Sequence, residues 1–323
     1  PKDTLAGPEQ TAGFKPYLDR VFEEATTENS AVMVSLAPEA MPQWALEASP
    51  QIFMQGAIDI TQPAAKDVIQ RHFAEAVPYL TEKKMLQGMC VAYRPELRFT
   101  SEDARKEFLA TVERRYGDGQ TLNRAWRGLF GSFDEVAIGW DRDNPLYINT
   151  ARYMDTPAYR FDWVTFHQEL ATRYLNWLGG LAIQYAPDEP LFVALGGDIM
   201  ASERSEMGFD LAAMAASSGL SGCSVANSPY DSDFAMGYPQ QCMLYTFLRS
   251  LAPNKPVVNF GDGVISYGPG DVPPTYDYVR GAMWEAAMAG LNASALDVQD
   301  ILALPECLDG YATASLDLNR LGG

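Results

Sequence analysis

The sequence is poor in positive charge, in histidine and in cysteine, and each shortage closes off a class of chemistry. Lysine and arginine number 24 against 42 aspartates and glutamates, for a formal net charge of −18. Nucleic-acid backbones and anionic membranes are bound by clustered Lys and Arg, so neither is an expected partner. Acidity of this kind serves solubility. The only histidines are His72 and His167. Both fall in helical patterns and no Gly-x-Ser-x-Gly elbow accompanies them, which argues against a Ser–His triad. Cys90, Cys223, Cys242 and Cys307 form no C-x-x-C pair, so a zinc ribbon or a thioredoxin-type site is not expected. They read as buried free thiols beside apolar sequence, which leans towards a reducing compartment without settling it.

No run of about 18 apolar residues occurs, so nothing in the sequence reads as a membrane span. The opening Pro1-Lys2-Asp3-Thr4 has neither Met nor a signal-peptide apolar region. It reads as a processed or trimmed start of a soluble chain, cytoplasmic or secreted with its signal removed. Gly268-Pro269-Gly270 is too short and too interrupted by proline for a phosphate loop. Asp231 and Asp233 could ligate a cation, but paired loop aspartates are usually solvated. No metal and no cofactor is expected, and homo-oligomerisation is left open.

What is present is globular and alternating. Hydrophobic residues make up 47% and charged residues 20%, which excludes a disordered chain. Short apolar runs are expected as strands at Ala31–Ala37, Met85–Tyr93, Leu191–Leu195, Gly222–Ala226, Pro256–Phe260 and Ala293–Val298. Between them lie amphipathic stretches expected as helices. These are Tyr17–Ala25, Ala64–Leu80, Ser101–Tyr116, Thr121–Trp126, Phe161–Leu178, Leu211–Ser217, Gln240–Ser250, Tyr278–Ala289 and Ala312–Leu321. Ser101 is a plausible N-cap, Glu102 and Asp103 favour the first turn, and Gly117 ends that helix. The Pro-rich stretch Pro38–Pro50 reads as a loop. Strand–helix alternation without an internal repeat points to a parallel sheet in one α/β domain, residues 1–323.

In a (β/α)₈ barrel, chemistry sits at the C-terminal strand ends. Here those ends hold Pro95-Glu96, Asp198, Asn227 to Asp231, Gly261 to Gly263 and Asp297 to Asp300. Carboxylates and amides bind sugar hydroxyls, and aromatic faces cover C–H surfaces. Trp44, Trp126, Trp140, Tyr230 and Trp284 are candidate platforms, although packing between helix and strand is the commoner use of a tryptophan.

Phe108–Phe133 (FLATVERRYGDGQTLNRAWRGLFGSF) carries a helix, a Tyr-Gly turn and Leu122-Asn123-Arg124-Ala125-Trp126. That order resembles the segment after the acid/base strand of glycoside hydrolase family 42. Met41-Pro42-Gln43-Trp44-Ala45 followed by Pro50 resembles the loop after the family's third strand. Asn227-Ser228-Pro229-Tyr230 is similar to the region after the sixth, Trp284 with Gly290 to the helix before the eighth, and Asp317-Leu318-Asn319-Arg320 to the closing helix. Gly7-Pro8-Glu9 with Gly13-Phe14 resembles the loop after the second strand. The resemblance thus implies a barrel whose first two strands lie before residue 1. It implies a β-galactosidase-like hydrolase of β-linked sugars with an oligosaccharide or glycoside substrate.

The resemblance also assigns catalytic positions. Retaining glycosidases use two carboxyl groups about 5 Å apart. Glu96 matches the acid/base, but Pro95 stands where the family has an Asn that bonds the sugar. Gly261 stands where the nucleophilic Glu belongs, within Asn259-Phe260-Gly261-Asp262-Gly263. Asp262 is adjacent, yet neighbours on a strand point to opposite faces, so it would serve only if the strand end twists or bulges. Three alternatives stay open: a shifted nucleophile (Asp262 or Asp297), a variant whose nucleophile has been removed, or a sugar-binding pseudoenzyme. The expected site is Glu96 and Asp262 for chemistry, with Trp44, Trp126, Asp198, Asn227, Tyr230, Asn259 and Asp297 for binding. Glu96 and the Asn259–Gly263 segment are expected to face each other.

Overall fold

The computed structural model describes residues 5, 7, 13–54, 57–95, 97, 101–136, 156–196, 209–217, 220–224, 234–262, 274–296 and 304–322. The chain divides into two compact units. The first holds Pro1–Gln87, Pro95–Glu189 and Ser202–Asp210, and the second holds Gly88–Arg94, Pro190–Ala201 and Leu211–Gly323. Gln87 and Gly88 are consecutive residues of one strand, so the division does not fall at a linker.

The first unit is mainly helical. It opens with α1 (Lys15–Thr27) and β1 (Val32–Ser35), whose Val32 amide donates to the Met85 carbonyl at 2.8 Å. The stretch read as a plain loop contains α2 (Gln43–Ala48). Its start at Pro42–Gln43 fits the tolerance of helix N-termini for a preceding proline. A small antiparallel pair follows, β2 (Phe53–Met54) with β3 (Ala57–Ile58). Two-residue strands carry too little pattern to be seen in sequence. Then come α3 (Pro63–Thr81), α4 (Glu102–Tyr116), α5 (Gly119–Trp126) and α6 (Pro157–Tyr185).

Local chemistry sets these boundaries. The Ser101 hydroxyl accepts from the Ala104 amide at 3.1 Å, and Glu102 and Asp103 occupy the positive first turn of α4. Gly117, at φ 75°, ends α4 in a backbone state that a side chain would strain. Asp118 then caps α5 by accepting from the Thr121 amide at 2.8 Å. Phe108, Trp126, Tyr159, Trp163 and Phe166 converge between α4, α5 and α6. The Phe108 and Trp163 centroids lie 4.9 Å apart and those of Trp126 and Tyr159 5.0 Å apart, both edge-on. Such pairs add about 0.5–1.5 kcal/mol each beyond the area they bury.

Among the described residues, the second unit carries five parallel strands: β4 (Leu86–Tyr93, from Gly88 on), β5 (Leu191–Gly196), β6 (Leu220–Ser224), β7 (Val257–Asp262) and β8 (Leu291–Leu296), paired in that order. β4 is nearly continuous in its apolar burial, as strands covered on both faces are. Among the described residues, four helices accompany them: α7 (Leu211–Ser217), α8 (Phe234–Leu251), α9 (Tyr276–Met288) and α10 (Pro305–Gly322). Leu244, Tyr245 and Leu248 of α8 pack with Val257 of β7 and Ala286 of α9. All six strands expected from sequence are therefore present, and the chain is an α/β protein. Among the described residues, no helix is long and apolar enough to cross a membrane.

Candidate functional site

Two strand pairs depart from regular register, β4 with β5 and β7 with β8, and β4 and β7 lead into the two segments to which the sequence resemblance assigns catalysis. On β4, Cys90 pairs with Phe192 and Ala92 with Val193, so two residues of β4 advance against one of β5. Arg94 follows at φ 48° and donates its amide to the Ala194 carbonyl at 2.7 Å. On β7, Asn259 pairs with Ser294 and Asp262 with Leu296, three residues advancing against two. Extra residues of this kind bend a strand and re-aim its side chains, and they concentrate beside active sites.

The flanks of Glu96 are built by the first unit. Pro95 and Leu97 are buried, and Leu97 forms a parallel bridge with Ile58. Next along, the buried Asp59 carboxylate accepts from the Thr61 amide (2.9 Å), the Thr61 hydroxyl (2.5 Å) and the Ser101 amide (3.1 Å). Three donors on one carboxylate satisfy a charge that would otherwise be costly to bury. Asp59 thereby fixes the start of α4, a role its sequence context does not announce.

The expected site residues divide sharply. Glu96, Asp198, Asn227, Tyr230 and Asp297 lie outside the described residues, as do Trp140, Asp231 and Asp233. Asp262 is described in its backbone alone. The facing of Glu96 and Asn259–Gly263 therefore also falls outside them.

Asn259 is fully buried, donates its amide to the Tyr245 hydroxyl at 2.9 Å, and accepts from the Gly261 amide at 3.3 Å. It holds β7 to α8, which corrects its reading as a sugar ligand. Trp126 is corrected too. It is 0% exposed and its indole N–H donates to Asp162 at 2.8 Å, so no ring face is left for a sugar. Trp284 sits on α9 with its indole nitrogen sealed from solvent, a helix position and not a strand end. Trp44 is half-buried. Its indole donates to the Leu5 carbonyl at 3.2 Å, and the Arg71 guanidinium lies 5.5 Å from its ring.

Two features escaped the sequence reading. Glu39 follows β1 with its carboxyl oxygen Oε1 sealed from solvent and without a hydrogen-bond partner among the described residues. Burial pushes its pKa up to about 8, so it is protonated at neutral pH; the Tyr174 phenol is likewise pushed up, by its own burial first and by Glu39 second. Only the Pro38–Pro50 composition marked that stretch. The second is Tyr93, the last residue of β4, whose hydroxyl donates to the Phe260 carbonyl at 3.4 Å. The histidines are core residues. His72 Nε2 lies 2.7 Å from the Leu36 carbonyl, and burial lowers both imidazoles to about 3.

This is an α/β chain of parallel strands with helices between them, irregular at the tips of β4 and β7. Solved structures share that fold. The family 42 exo-carrageenase of Bacteroides ovatus aligns over 99% of this chain and 48% of its own, at TM-score 0.77 and 20% identity. The β-galactosidase of Rahnella sp. R3 aligns over 89% and 43%, at 0.72 and 13%. The catalytic domain of the Paenibacillus polymyxa β-amylase aligns over 96% and 85%, at 0.65 and 11%. The chain thus has the fold of family 42 glycoside hydrolases and spans about half the length of the carrageenase and galactosidases it matches. No protein-family model and no curated protein matches the sequence.

Proposed function

We propose that residues 1–323 form one (β/α)₈-type glycoside hydrolase domain acting on β-linked sugars, with β1 and β4 to β8 as strands three to eight. Glu96 is the acid/base of a retaining reaction and Asp262 the nucleophile. Trp44, Asp198, Asn227, Tyr230 and Asp297 belong to the sugar site. The chemical requirement is two carboxyl groups of opposite role: one protonates the leaving oxygen while the other attacks the anomeric carbon.

The observation that carries the reading is the three-against-two pairing at Asn259–Asp262. Asn259 reaches towards Tyr245 of α8, whereas Phe260 stacks on Phe192 of β5 at 4.3 Å. Asn259 and Phe260 thus point to opposite sides, and the irregular pairing beyond them relaxes the strict alternation that would separate position 262 from 261. The family 42 neighbours include β-galactosidases and an exo-carrageenase, which makes galactosides and carrageenan oligosaccharides the first substrates to try.

A second reading, a sugar-binding pseudoenzyme, is favoured by Pro95 and Gly261, since neither carries a group that can bond a hydroxyl or attack carbon. A panel of nitrophenyl β-glycosides separates the two. Hydrolysis that is lost in both Glu96→Gln and Asp262→Asn, with azide or formate restoring turnover in a variant, supports the enzyme. Calorimetric sugar binding without any cleavage supports the pseudoenzyme. Absence of both overturns carbohydrate chemistry.

A further inference from the structure

We infer that Tyr93 is a positioning residue, its phenol clamping the tip of β7 to the strand that leads into Glu96. The inference rests on the hydrolase reading for its catalytic consequence, and on geometry alone for the clamp.

Tyr93 is the last residue of β4, three positions before Glu96. Its hydroxyl donates to the carbonyl of Phe260, which lies inside the irregular segment Asn259–Asp262. At 3.4 Å this is a long hydrogen bond, and it does not stand alone. The Tyr93 and Phe260 side chains both pack on the cluster Cys90, Phe192 and Ala194. The rings of Phe260 and Phe192 are parallel within 8°, their centroids 4.3 Å apart. Ring packing therefore brings the tips of β4, β5 and β7 together, and the phenol fixes a backbone atom of β7.

Such a fix is needed here more than elsewhere. An irregular strand end leaves a residue out of the ladder, and β7 makes its last pair at Asp262 across that gap. β4 is likewise irregular between Cys90 and Ala92, and Arg94 follows in the left-handed region at φ 48°. Each tip is thus held by fewer ladder bonds than a regular strand would supply. A phenol donating from one to the other restores a cross-link where reacting groups must hold their spacing, and small misplacements of such groups cost large factors in rate.

Tyr93→Phe keeps the ring and removes the hydroxyl. Amide hydrogen exchange tests the clamp without any substrate. The expected result is faster exchange at Gly261 and Asp262 by about tenfold, with Val193 and Ala194 of β5 unchanged. Unchanged exchange at 261 and 262 overturns the clamp.

Kinetics tests the consequence. On an aryl glycoside that the wild type cleaves, kcat should fall about tenfold with KM within twofold. The loss should be equal for nitrophenyl and dinitrophenyl leaving groups, because the strand being held carries the nucleophile. In Glu96→Gln, by contrast, kcat/KM on the dinitrophenyl substrate should be spared, because that leaving group needs no protonation, while kcat falls because the second step has lost its base. A Tyr93→Phe loss confined to the poorer leaving group, or none, overturns the positioning role. If the wild type cleaves nothing while Tyr93→Phe still speeds exchange at 261 and 262, the hydrolase reading fails and the clamp stands.

Discussion

Trp126 donates its indole N–H to Asp162 across 2.8 Å, joining α5 to α6 through a fully buried contact. Asp162 also accepts the Tyr116 hydroxyl at 2.5 Å and a guanidinium N–H of Arg115. One carboxylate thus closes the aromatic cluster that α4, α5 and α6 share. Asp162→Ala leaves the buried Trp126 and Tyr116 donors without their acceptor, while the partly exposed Arg115 turns to water, and should destabilise the fold by about 1–3 kcal/mol. Trp126→Phe should lower the melting temperature while leaving the KM of any cleaved glycoside unchanged. A rise in KM without a loss of stability would return Trp126 to the sugar site.

Asn123 explains the rest of that motif. Its side-chain amide donates to the Phe130 carbonyl and its oxygen accepts from the Phe130 amide, both at 2.8 Å. Gly128 lies inside this clasp, where a Cβ would come within 2.5 Å of the Phe130 ring. Gly128→Ala should therefore cost about 1–3 kcal/mol through overpacking. Urea titration of the variant checks it, and a neutral result would mean that the turn yields freely.

Glu39 makes stability depend on pH in an unusual sense for a carboxylate. Its pKa rises from 4.5 to about 8 on burial, so the native state holds a proton that the unfolded chain has lost. Stability should fall as pH rises from about 4.5 to about 8 and level off above. Glu39→Gln keeps the shape and removes the titration. Denaturant midpoints across that window should flatten in the variant, and an unchanged slope would assign the effect elsewhere.

His72 and His167 act in the opposite sense. Burial lowers both from 6.5 to about 3, so their neutral forms favour the fold above about pH 6.5. That contribution is lost as pH falls towards 3. In His72→Gln, acid unfolding should become less steep between those limits. An identical acid limb in wild type and variant would rule out His72 as its source.

How far the sequence was legible follows from the range of each signal. The six long strands and the ends of α4 were readable because they rest on apolar runs and on caps within a few residues, Ser101 and Gly117 among them. α2 was missed because Pro42 reads as a breaker although it serves as the residue before a helix. Of the site, the irregular end of β7 was foreseen only as a condition on Asp262. Pairing register depends on β8, which is remote in sequence. Asn259 and Trp126 were misread for one reason. Amides and indoles suit sugars and buried clasps equally well, and only their partners, Tyr245 and Asp162, decide between them.

The bond from Asn259 to Tyr245 separates the frame of β7 from whatever side chain sits at its tip. With the strand anchored from behind, positions 261 and 262 can exchange residues over evolutionary time without dragging the backbone along.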